Sequence, residues 1–136
     1  MTPAVREFLV LLDELVDAHE WPQLNREVVT VGSGDAEVLV RLPHADDDLR
    51  DIELEVDDRT VTVIYKPERI EFTSRNEALH FIEMLGDGRV ELKVHYGLFW
   101  TTMNSYRDGL HRPFRRTRMP WPNLRPHTEH LPFGFS

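Results

Sequence analysis

The chain contains no cysteine, which removes a disulfide framework, a thiolate metal site and a cysteine nucleophile together. Any chemistry has to come from oxygen and nitrogen groups. Lysine is nearly missing too: only Lys66 and Lys93 stand among the 16 basic residues, so the cations are almost all planar, multiply donating guanidinium groups. No apolar run approaches the ~20 residues of a membrane-spanning helix. The first apolar stretch, FLVLL, follows Arg6 and Glu7 and falls short of a typical signal-peptide core. No membrane association and a cytoplasmic location are the expectation.

What is present suits a folded protein. The 136 residues are 40% hydrophobic and 29% charged, the length of one domain with a real core. A single domain is expected over 1–136, with an α+β body at 1–110 and an extended arm at 111–136. The net charge of −8 is unevenly spread: residues 1–90 hold 21 acidic and 9 basic side chains, residues 91–136 hold 3 and 7. An acidic body repels phosphate backbones and attracts cationic surfaces, so nucleic acid is disfavoured and a basic protein partner favoured.

Periodicity supplies the elements. Thr2-Pro3 reads as a cap followed by a first-turn proline, and Val5, Phe8, Leu9, Leu12, Leu15 and Val16 recur at helical spacing, predicting a helix over about residues 3–19. From residue 26 the period changes to two. REVVTV, EVLVRLP, DIELEVDD, TVTVIYK and RIEFT are strand-like runs with short connections, the pattern of an antiparallel meander. Ser74 and Glu77 form a capping box ahead of a second apolar stripe, Ala78, Phe81, Ile82 and Leu85. RVELKVHYG alternates again and is expected to return to the sheet, with LFWTTMNSY extending it or starting another strand. After Asp108-Gly109 the periodicity disappears, and five of the nine prolines follow. The predicted fold is α+β: a meander sheet of about five or six strands, two helices on one face, and an extended proline-rich C-terminal arm.

No catalytic motif reaches useful strength. His127 and His130 in HTEH are the nearest approach to a metal site, but their spacing is three and Pro126 and Pro132 bracket them. Asp46, Asp47 and Asp48, beside His44 and Asp51, lack the spacing and central glycine of a calcium loop. Glu53 and Glu55 alternate with apolar residues and therefore face water, as do Asp57 and Asp58 in the following turn; this is a poor setting for paired-carboxylate catalysis. GSGD reads as a hairpin turn rather than a phosphate loop. RPFRRTR mixes arginine with aromatics, as single-strand nucleic-acid sites do, yet an arm lying on an acidic body needs the same sign. A core position is expected for Trp100, and an interface position for Trp121, which stands between two prolines.

The expected function is therefore binding and not catalysis, with no cofactor and no resident metal. The leading expectation is a small acidic immunity-type or inhibitor protein, of the kind bacteria use, that neutralises a cognate basic toxin or effector by occluding its active site. The contact residues would be Asp46, Asp47, Asp48, Glu53, Glu55, Asp57, Asp58 and Trp121. A dimeric secretion-type chaperone is the alternative. A metal-dependent enzyme of unknown reaction, using His127, His130 and Glu129 or the aspartate loop, comes third.

Overall fold

The computed structural model describes residues 2–21, 27–31, 37–42, 51–65, 68–107 and 112–132. The chain runs α1 (Pro3–His19), β1 (Glu27–Val31), β2 (Glu37–Leu42), β3 (Ile52–Val56), β4 (Val61–Tyr65), β5 (Glu68–Phe72), α2 (Arg75–Gly86), β6 (Val90–Tyr96), β7 (Thr101–Arg107), β8 (Arg115–Met119) and β9 (His127–Pro132). The class is α+β, and every strand pairing is antiparallel.

Both helices start where their sequences say. The Thr2 hydroxyl accepts the Val5 N–H and the Ser74 hydroxyl accepts the Glu77 N–H, each satisfying a first-turn donor that has no partner inside its helix. α1 closes at Glu20, which adopts the left-handed conformation at φ 48°, one residue before Trp21. Its stripe of Val5, Phe8 and Leu12 is fully buried.

Strands β1 to β5 form a five-stranded meander in chain order, as the short connections dictate. β6 does not rejoin it. It forms a second, four-stranded sheet of order β8-β7-β6-β9, whose two outer strands come from the proline-rich arm. Both edges of β6 are occupied, by β7 and β9. The arm thus lies along sheet edges, where prolines are tolerated because a missing N–H faces outward. No described helix is long and apolar enough to cross a membrane.

One continuous core joins the layers. α2 packs on β4 and β5, and α1 packs on α2. Ile52, Leu54, Val56, Val63 and Tyr65 meet Ala78, Ile82 and Leu85 of α2 in one buried cluster that also takes in Val90, Leu92 and Met103 of the second sheet. Each valine, leucine, isoleucine or methionine among them contributes about 1.5–3 kcal/mol on leaving water. Phe81 is the hub of an aromatic group, tilted against Tyr65 and Phe72 and edge-on to Phe114 of the arm. The sheets are also tied by polar bonds: the Tyr65 hydroxyl donates to Ser105 Oγ at 3.2 Å, and Arg115 Nε donates to Glu68 at 2.9 Å.

Candidate functional site

One end of the second sheet concentrates exposed apolar surface. The β6–β7 turn carries Leu98 (56% exposed), Phe99 (76%) and Trp100 (44%), and the segment linking β8 to β9 carries Trp121 (56%) and Leu124 (96%). A single exposed apolar residue, such as Val10 on α1, is ordinary; five on two adjoining loops are not. The core position expected for Trp100 is therefore wrong. Trp100 is a turn residue, and a hairpin tip projects beyond the layers that would bury it.

Backbone bonds hold this end in shape. The Gly97 N–H donates to the Trp100 carbonyl at 2.8 Å, closing the turn. A Cβ on Gly97 would stand 2.8 Å from that same oxygen, so glycine is required by the close approach. The β8–β9 segment passes over the turn: Asn123 N–H donates to the Gly97 carbonyl at 3.0 Å, and the Thr101 hydroxyl to the Trp121 carbonyl at 2.9 Å. The Arg118 guanidinium lies 4.8 Å from the Trp100 ring centroid, a cation–π contact that fixes the indole. Ordered aromatic groups lose little side-chain entropy on binding, which is why they serve as interface anchors.

Trp121, expected to be an interface residue, belongs to this end. Among the described residues, the acidic candidates do not. Asp46, Asp47 and Asp48 lie outside the described residues, as does the GSGD turn. Glu53 and Glu55 point to the open face of the meander, as their alternation predicts, but each is engaged: Glu53 lies 3.8 Å from Arg41 on β2, and Glu55 receives both terminal nitrogens of Arg69 on β5. Asp57 is a turn-former. Burial works to raise its pKa, but the N–H groups of Thr60 and Arg59 and the Thr60 hydroxyl hold it below the ordinary carboxylate value. Asp58 is exposed, and its carbonyl lies 3.5 Å from Arg75.

The HTEH histidines are separated by their own strand. At a period of two, residues three apart face opposite sides. His127 stacks on Tyr96 with ring centroids 4.5 Å apart, while His130 bonds to Glu91 across the other face. The Arg125 carbonyl, then Glu129, raise the His127 pKa by favouring the protonated ring. The two imidazoles cannot ligate one ion from these positions.

No protein-family model, curated protein or solved structure matches the chain. The residues that reading the sequence missed are Leu98, Phe99 and Leu124. The available signal was Gly97 followed by an apolar triplet between two alternating runs, a hairpin tip with the wrong polarity for a solvated turn.

Proposed function

We propose that the protein is a small binding protein of the inhibitor type, which anchors itself in a partner through the aromatic end of its second sheet. The carrying observation is the set of five exposed apolar side chains, Leu98, Phe99, Trp100, Trp121 and Leu124, on two hydrogen-bonded loops. A projecting, ordered aromatic knob suits insertion into a concave cleft, the geometry by which an active site is occluded. The net charge of −8 attracts a basic toxin or effector from a distance. At contact, Arg118 and Arg125, which flank the knob, would meet carboxylates lining the partner's cleft. The immunity-type role expected from composition thus keeps its partner class, with the anchoring surface moved from the acidic strands to the aromatic end.

The test is affinity recovery of the tagged full chain from its own cells after crosslinking, followed by reconstitution with the purified partner. The expected result is one basic protein bound 1:1, inhibited in its own activity, and bound at least about 30-fold more weakly by the Phe99→Ala/Trp121→Ala variant, as truncation of central aromatic anchors gives. Undiminished binding by that variant, or an acidic partner, refutes the proposal. A stable homodimer that the same double substitution dissociates would also refute it, and would favour the chaperone alternative.

A further inference from the structure

A second cluster lies away from the aromatic end, where the C-termini of the two helices meet. His19, the last residue of α1, places Nε2 3.1 Å from Glu83 Oε2 and Nδ1 3.1 Å from Asp87 Oδ1. Donor atoms from all three lie within 4.8 Å of one another. The imidazole is held in plane by Trp21, stacked at 4.7 Å and 20°. Trp21 in turn is only 7% exposed and closes on Gly86, where a Cβ would meet indole carbons at 2.2 Å. The three donors are thus fixed from two elements. All three side chains remain about a quarter to a third exposed, at 26% for His19, 34% for Glu83 and 31% for Asp87.

Electrostatics at this place call for a cation. The carbonyl ends of both helices carry partial negative charge, and acidic side chains there are unfavourable. Yet α2 ends with Glu83 and the cap residue Asp87 and has no basic residue in its last turn. Among the described residues, His19 is the only ion-pair partner of either carboxylate. Each ring nitrogen faces one carboxylate, Nε2 toward Glu83 and Nδ1 toward Asp87. A divalent ion seated between the first pair fits this arrangement. It takes the lone-pair nitrogen and a carboxylate oxygen, while the second carboxylate accepts the remaining ring N–H and orients the ligand.

We infer that His19, Glu83 and Asp87 form a zinc-class metal site that clamps the C-terminus of α1 to that of α2. His19 Nε2 and Glu83 are the direct ligands, since their 3.1 Å separation matches neighbouring donors around an ion with bonds of about 2.0–2.2 Å. Asp87 is the acceptor for Nδ1–H, and water fills the open positions. An imidazole among the donors selects zinc and its neighbours over magnesium and calcium, which prefer all-oxygen sets. The task assigned to the ion is structural, since it joins His19 of α1 to Glu83 of α2.

The experiment titrates zinc chloride alone into the full chain, with calorimetry for stoichiometry and thermal unfolding for linkage, because an ion bound only by the folded state raises the unfolding midpoint. One equivalent binds and the midpoint rises with zinc but not with magnesium. Glu83→Gln and Asp87→Asn, isosteric changes at positions about a third exposed, each weaken zinc at least about tenfold, the loss expected for a ligand or its orienting partner. His127→Asn/His130→Asn binds zinc as the wild type does. Absence of binding, unchanged affinity in Glu83→Gln, or loss of the site in the His127/His130 variant overturns the assignment. A midpoint that responds to acidification but not to zinc also overturns it and makes the cluster a proton-held contact.

Discussion

Glu68 shows how much one residue can depend on another. It is 2% exposed, with one carboxylate oxygen on Arg115 Nε at 2.9 Å and the other, Oε1, buried without a hydrogen-bond partner among the described residues. Arg115 is half-exposed, so the pair is a buried anion served by a cation at the surface. Breaking such a pair costs more than the pair contributes, because the anion is left uncompensated. Arg115→Ala is therefore expected to destabilise the protein by about 3 kcal/mol in urea unfolding. Adding Glu68→Leu should restore a large part of the loss. A double variant no more stable than Arg115→Ala would show that the arginine acts through packing alone.

Tyr65 makes a second residue-scale case. Burial, partly countered by its bond to Ser105, pushes the phenol up from 10 to about 12. The unfolded chain releases this proton near pH 10 and the folded chain only near pH 12, so the fold binds more protons in between. Stability from this group is complete below pH 10 and is lost as the pH rises toward 12. At about 1.4 kcal/mol per pKa unit the loss is roughly 2–3 kcal/mol. Urea midpoints measured across that window should fall more steeply for the wild type than for Tyr65→Phe, which at neutral pH is less stable by about 1 kcal/mol. Parallel pH profiles would rule the mechanism out.

Elements divide by how local their cause is. The helices are legible because a cap and an apolar stripe lie within one segment: Thr2 with Val5, Phe8 and Leu12, helped by the first-turn Pro3, and Ser74 with Ala78, Ile82 and Leu85. The meander was legible because its connections are short and Ile52, Leu54 and Val56 alternate with glutamates. For β8 and β9 the residue pattern predicts only an extended arm, and their pairing is not foreseeable from it. RRTRM is an edge strand whose arginines are exposed, so it lacks the alternation that marks a half-buried strand, and its partner β7 is chosen by long-range contact. The aromatic end was half legible: Trp121 was singled out, whereas Trp100 is apolar like a core residue and differs only in standing at a turn. The helix pair turns on one atom. Gly86 admits the Trp21 ring at a distance no Cβ allows. Alanine there gains about 1 kcal/mol of helix propensity, yet overpacking a closed contact costs about 1–3 kcal/mol. Gly86→Ala should be net destabilising, with a red-shifted Trp21 emission as the indole leaves its site. A more stable variant with unchanged emission would contradict the contact.

At the scale of the whole molecule the question is whether two sheets make one folding unit. Each has its own hydrogen-bond ladder, and the chain passes from one to the other only through α2. Yet the buried cluster is shared, since Leu54, Val63 and Tyr65 of the meander and Val90, Leu92 and Met103 of the second sheet belong to it. Tyr65–Ser105, Glu68–Arg115 and Phe81–Phe114 cross the junction at three points. Separating the sheets would expose that core and strand Glu68, a cost comparable to the whole stability of a small domain, about 5–15 kcal/mol. One cooperative transition is expected over the full chain. In a Trp100→Phe/Trp121→Phe variant the remaining Trp21 reports on the helix pair, and in Trp21→Phe the other two indoles report on the second sheet. The fluorescence midpoints of each variant should coincide with its far-ultraviolet circular dichroism. A second sheet that melts before the helix pair would divide the protein into two units, and the shared core would then be an interface between them.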